Sequence, residues 1–186
     1  GVSVYNGDAY RTPLGLVAVD KDKSDRLTNG MESIYKSVQG HRHEHALEVH
    51  LPFLQYALKD FSLVPVVIGD QNGQLLFELS EKLTEIIDDK TLIVASSDLS
   101  HFHSRKEAHS LDSIIEERIN SLDYLALLDD LDNNRCEACG GGPIVSVMKA
   151  AELMGKNKAR VLHRSDSGDV TGDNSEVVGY LSAIIY

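Results

Sequence analysis

Hydrophobic positions along the chain follow two rhythms. Leu76, Leu79, Leu83 and Ile86 in "LLFELSEKLTEIIDD" recur every three or four residues, which places them on one face of an amphipathic helix. Leu47, Leu51, Leu54 and Leu58 stand at offsets of 4, 7 and 11 and predict a second helix across "HALEVHLPFLQYALKD". Pro52 inside that stretch should kink or restart it. Helical patterns also run through "LDSIIEERINSL" and "DYLALLDDL", and the charged "KDKSDRL" can open another helix. In "PIVSVMKAAELMG", Pro143 suits the first turn and Gly155 can close the end.

The second rhythm is that of strands. "GVSVY", "LGLVAVD" (Leu14 to Asp20), "FSLVPVVIG" ending at Gly69, "TLIVASSD", "ARVLHR" and "VVGYLSAIIY" are short apolar or β-branched runs, of the kind strands favour. A strand apolar on both faces, a helix and a second such strand make a parallel βαβ unit, here predicted across residues 61–98. The class is therefore α/β, with a central mixed, largely parallel sheet flanked by helices. With no internal repeat or long linker, residues 1–186 read as a single domain.

Composition narrows the partners. With 18 Lys and Arg against 29 Asp and Glu, the formal net charge is −11. That argues against a nucleic-acid or anionic-membrane surface, both of which demand basic patches. No apolar run approaches the roughly 20 residues that span a bilayer. Two cysteines and no signal-peptide pattern lead to the expectation of a reducing, cytoplasmic setting.

The chemistry gathers in two motifs. In "VASSDLSHFHS" an apolar run ends in Ser96, Ser97, Asp98, His101 and His103. Ligands collect at the carboxyl ends of strands in open parallel sheets, and an Asp three residues before a His can orient the ring as a general acid/base. The plainer reading is a helix start capped by Ser97 or Asp98, with solvated histidines. No G-x-S-x-G elbow surrounds the serines. In "CGGGP", Cys139 precedes three glycines and a predicted helix, whose positive end favours a thiolate nucleophile or metal ligand. Against this, such a cysteine is often only a small buried residue. Cys136 with Cys139 also permits a redox pair.

Two further stretches are polar without a matching motif. "HRHEHALEVH" holds His41, His43, His45 and His50 with Glu44 and Glu48, yet it is not H-E-x-x-H. His41 and His43 are expected in a solvated loop, while Glu44, His45 and Glu48 are candidates to line a pocket. "SDSGDVTGDNSEVVGY" does not fit a calcium loop and reads as a turn-rich surface loop or a lid.

Taken together, "DAYRTPLG", "EHALEVHLPFLQ", "SSDLSHF", "CGGGPI" and "SGDVTGDNSEVVGY" resemble the Memo family, whose bacterial members are called protein B of the AmmeMemoRadiSam system. The resemblance spans essentially all 186 residues. It implies a three-layer α/β/α fold like that of the class III extradiol (LigB-type) dioxygenases. It also implies a metal-dependent, dioxygenase-like activity on an unidentified small molecule, with iron or copper as cofactor. Cys139 matches the family's cysteine ligand, and His101 with Asp98 beside it matches the dioxygenases' acid/base histidine. The family's two histidine ligands lie in H-A-G-Y and G-P-[SN]-H motifs that would precede residue 1. The chain is thus expected to be the C-terminal two-thirds of the family's domain, its sheet incomplete on the N-terminal side. It is then expected to bind metal weakly on its own and to be capable of self-association through an exposed edge. The resemblance further implies a functional link to a radical SAM protein and an AMMECR1-like protein. The rival expectation is a non-catalytic binding or scaffold protein with a vestigial pocket.

Overall fold

The computed structural model describes residues 1–42 and 44–186, which fall into two compact units, Gly1–Leu92 and Ile93–Tyr186. The first runs β1 (Val2–Tyr5), β2 (Ala9–Thr12), β3 (Gly15–Ala18), α1 (Lys21–Thr28), β4 (Ile34–Ser37), α2 (Ala46–Ala57), β5 (Val66–Ile68) and α3 (Gly73–Ile86). Strand β1 is the centre of a three-stranded sheet, with β4 parallel on one side and β5 antiparallel on the other. Strands β2 and β3 form a separate antiparallel hairpin. Its turn needs Gly15, whose φ of 123° is closed to a residue with a Cβ.

The core of this unit is what the periodicity predicts. Leu76, Leu79, Leu83 and Ile86 of α3 are buried together with Val2, Val4, Leu27 and Ile34. Asn72 caps α3 by accepting from the Leu75 N–H at 3.0 Å, as an N-cap side chain should. At the other end, Lys23 Nζ donates to the Ile86 carbonyl, the Asp88 carboxylate and the Thr91 hydroxyl at 2.7, 2.8 and 2.9 Å. The Lys23 hydrogen bond, helped by Thr91, holds the Asp88 carboxyl well below the ordinary carboxylate range. Helix α2 carries Pro52 inside it and turns Leu51 inward, while Phe53 and Tyr56 face outward.

The second unit runs β6 (His101–His103), α4 (Arg105–Ser121), α5 (Tyr124–Asp132), α6 (Gly141–Leu153), β7 (Ala159–Asp166), α7 (Gly168–Thr171) and β8 (Val177–Ile185). Strand β8 lies between β6 and β7, antiparallel to both. Helix α4 packs against β7 and β8, and α5 packs against α6. Leu99, Ile115, Leu127, Val145, Met148 and Val177 are buried. Buried Asp130 is gripped by Arg118 Nε at 2.8 Å and Arg135 Nε at 2.6 Å. The Arg118 hydrogen bond is the main reason its carboxyl titrates lower than usual.

The α/β class is as expected, but the pairing differs from the prediction in two places. Among the described residues, parallel pairing is confined to the β1–β4 ladder and an isolated Val19–Leu63 bridge. "FSLVPVVIG" contributes only Val66–Ile68 and runs antiparallel to β1. "TLIVASSD" is not a strand: residues 91–100 join no ladder, and Leu92 and Val94 are 76% and 52% exposed. A strand exists only where its backbone finds a neighbour. At the end of this stretch Leu99 and Ser100 reach β8, through Leu99 N–H to Gly179 O and Gly179 N–H to Ser100 O, both 2.9 Å. The second strand of the predicted βαβ unit is therefore missing among the described residues.

Candidate functional site

The two motifs meet in the second unit, by way of backbone. Asp98 N–H donates to Cys139 Sγ at 3.2 Å, and Cys139 N–H donates to the Asp98 carbonyl, also at 3.2 Å. One residue on either side, Gly140 N–H donates to Ser97 Oγ at 2.8 Å, and that hydroxyl donates to the Asp98 carbonyl at 2.6 Å. Ser97 Oγ also lies 3.8 Å from Cys139 Sγ. So close an approach explains one of the three glycines. A Cβ on Gly140 would come within 2.3 Å of the Ser96 carbonyl and 2.8 Å of Ser97 Cβ. Gly140 is also the N-cap position of α6, so Cys139 does sit beside a helix N-terminus, and Pro143 lies in the first turn.

His101 stands next to this contact. Its Nε2 is 3.7 Å from Asp98 Oδ2, longer than a hydrogen bond. The position differs from the expected one. His101 opens β6 instead of following a strand, because residues 101–103 pair with β8. Phe102, at φ 61°, interrupts the ladder so that His101 pairs with Val178 and His103 with Val177, a β-bulge. His103 Nε2 donates to both Glu137 oxygens at 3.0 Å, a tie from β6 itself to the turn carrying Cys139. Helix α4 is capped not by Ser97 or Asp98 but by Ser104, in a capping box with Glu107.

The two cysteines are unlike. Cys139 is exposed and Cys136 is buried. Burial first, and then the Asp130 charge, pushes the Cys136 thiol up to about 11. A thiol so far above neutral pH is a poor partner in exchange, which counts against the redox pair.

The remaining candidates belong to the first unit. Glu44 Oε1 accepts from Ala46 N–H at 2.8 Å, and His45 Nδ1 meets Glu48 Oε1 at 2.7 Å, all three residues exposed at the start of α2. His41 is not in a solvated loop. It is buried, with Nε2 donating to the Ser3 carbonyl at 3.1 Å and Nδ1 meeting the Tyr10 hydroxyl at 3.0 Å. A carbonyl only accepts, so Nε2 carries the proton and Tyr10 donates. Burial lowers the His41 pKa and, with Tyr5 and Glu48 nearby, raises the Tyr10 hydroxyl to about 12. His43 lies outside the described residues.

The "SDSGDVTGDN" stretch holds a cluster that its polarity did not announce. Asp166 is buried at the end of β7 and takes Arg105 Nε and His109 Nε2, each at 2.9 Å, and the Gly168 N–H at 2.9 Å. Burial works to raise its carboxyl, but the His109 bond and the Arg105 charge outweigh that and hold it low. The carboxylate is the buried residue at the end of this strand, and a buried carboxylate needs a cationic partner. An open cavity of about 640 Å³ beside this cluster is lined by Arg105, Lys106, His109, Ser110, Ser113 and Asn174. It is not lined by Asp98, His101 or Cys139, whose cluster is a surface arrangement.

Comparison with known proteins agrees with this pattern along almost the whole chain. The family model described as Memo-like protein matches residues 1–184. The chain belongs to the Memo-like family. Relatives of this Memo-like chain include a MEMO1 family protein of Methanobrevibacter smithii, 38% identical over 98% of the chain and 66% of the relative. One from Methanosarcina barkeri is 34% identical over 96% of the chain and 68% of the relative. A third, from Sulfolobus acidocaldarius, is 37% identical over 97% and 65%. The Memo-like chain thus spans about two thirds of the length of the relatives it matches. Among the described residues no helix is long and apolar enough to cross a membrane.

Iron or copper, implied by the family resemblance, can be tested against these residues. Cys139 has the right chemistry, a soft sulfur held by a backbone donor. Among the described residues, however, no three His, Cys, Asp or Glu side chains converge as a ligand set. The described residues alone do not make a non-haem iron site.

Proposed function

We propose that Asp98, His101 and Cys139 form the reactive centre of a metal-dependent, dioxygenase-like oxidoreductase acting on a small molecule. The observation that carries this reading is the Asp98 N–H to Cys139 Sγ hydrogen bond beside the Asp98–His101 pair, which gathers the acid/base residue and the candidate ligand at one turn. Bound iron or copper would supply the activation of dioxygen, with Cys139 as this chain's ligand. His101 Nε2 takes or gives the substrate proton, with the Asp98 carboxylate beside the ring. Ser97, through Gly140, fixes the turn that carries the sulfur. The thiol chemistry suits a reducing compartment such as the cytoplasm.

A second reading, a binding or scaffold protein without turnover, draws support from the 3.7 Å separation of His101 and Asp98 and from the exposure of Cys139. Dioxygen uptake by the iron-supplemented chain, offered a panel of catechols, separates the two. The enzyme reading expects uptake above that of iron alone, abolished by His101→Gln and by Cys139→Ser. Uptake equal to iron alone, with saturable catechol binding retained, selects the binding protein.

A further inference from the structure

Helix α4 sends one carboxylate, Asp112, into the interior, where it is 1% exposed. Its Oδ1 accepts the Ser100 N–H at 3.1 Å. Its Oδ2 has no hydrogen-bond partner among the described residues, and neither has the fully buried hydroxyl of Ser100. Buried polar atoms are seldom left unpaired, and these two belong to residues already joined by a hydrogen bond.

Gly179 completes the arrangement. A Cβ there would lie 2.0 Å from Asp112 Oδ2, so the carboxylate rests on the bare backbone of β8. The same glycine accepts from Leu99 N–H and donates to the Ser100 carbonyl, both at 2.9 Å. The residue immediately before His101 is therefore held through its N–H by α4 and through its carbonyl by β8. We infer that Asp112 is a positioning residue for His101. Its bond to the Ser100 N–H, with Gly179 holding the Ser100 carbonyl, fixes the backbone from which the imidazole reaches Asp98. This rests on the reading of His101 and Asp98 as a proton-transfer pair. It adds that the pair's geometry is set from beneath, by a carboxylate that never meets the ligand. At 3.7 Å the electrostatic coupling between ring and carboxylate varies with their separation, which the backbone sets.

The test is a double-mutant cycle read by NMR on the His101 ring, whose Cε1–Hε1 signal is assigned by its loss in His101→Gln. Asp98→Asn should displace that signal at fixed pH in the parent chain. In the Asp112→Ala and Gly179→Ala backgrounds the displacement should fall at least about twofold, while cooperative melting shows that the fold is kept. Undiminished displacement in folded Asp112→Ala overturns the inference. If Asp112→Ala does not fold, Gly179→Ala decides alone, since its Cβ would meet Asp112 Oδ2 at 2.0 Å and push the carboxylate off the Ser100 N–H. No displacement in the parent would remove the Asp98–His101 pair itself, and the inference with it.

Discussion

Asp98 and Cys139 exchange two hydrogen bonds at 3.2 Å, one from the Asp98 N–H to the sulfur and one from the Cys139 N–H to the Asp98 carbonyl. Residues 41 positions apart thereby behave as a single turn, and the sulfur accepts a main-chain donor that cannot swing away. A side-chain mutation can remove the sulfur without removing the donor. This separation of chemistry from scaffold makes the site open to direct tests.

Alkylation should distinguish the two cysteines. Cys139 is exposed, whereas Cys136 is 2% exposed with its thiol raised to about 11. Iodoacetamide followed by peptide mass spectrometry should find Cys139 modified at least about tenfold faster at neutral pH. Equal rates would mean that the turn opens freely and does not hold the sulfur.

Gly140→Ala should be costly for a steric and not a conformational reason. The φ of Gly140 is −102°, which any residue adopts, but its Cβ would meet the Ser96 carbonyl at 2.3 Å. Overpacking against backbone costs about 1–3 kcal/mol. Urea unfolding should show that loss, with a shifted midpoint and an unchanged slope. An unaltered midpoint would contradict the close approach of the two turns.

How far the sequence revealed this depends on the range of the interactions. The α3 stripe was readable because Leu76, Leu79, Leu83 and Ile86 need only local periodicity to find the core. Pro143 and Gly155 marked α6 equally well; Gly155 is in the left-handed region at φ 72°. The Asp98, His101 and Cys139 motifs could be named, but the β6 pairing that places His101 depends on β8, more than 70 residues on. His41 looked solvated because its partners, Tyr10 and Ser3, lie 31 and 38 residues away. The apolar run at residues 91–95 has a strand's composition, yet composition does not supply a neighbour.

Stability should fall on mild acidification through His41. Burial lowers its folded pKa below the unfolded value of about 6.5. Below pH 6.5, approximately, the unfolded chain binds the extra proton first, so stability declines until the folded pKa is passed. His41→Gln should flatten that part of a stability-against-pH curve measured by urea unfolding. An unchanged slope would place the titration elsewhere.

The Asp130 pair acts in a lower window. Arg118, with Arg135 in support, depresses the Asp130 carboxyl. Its contribution is present above the unfolded carboxylate pKa of about 3.9 and is lost as pH falls through the folded value. Asp130→Asn should cost about 1–3 kcal/mol at pH 7 and much less at pH 3, read from thermal melts. Equal losses at both pH values would show that charge plays no part there.

The central claim is that Cys139 is a metal ligand at a turn built by Asp98, and cobalt(II) titration tests it most directly. Cobalt bound by a thiolate gives a ligand-to-metal charge-transfer absorption that imidazole and carboxylate ligands do not. The account predicts this band in the parent chain and in Cys136→Ser, saturating only at excess cobalt because the described residues lack a three-ligand set, and no band in Cys139→Ser. A band that survives Cys139→Ser, or none in the parent at saturating cobalt, would contradict it.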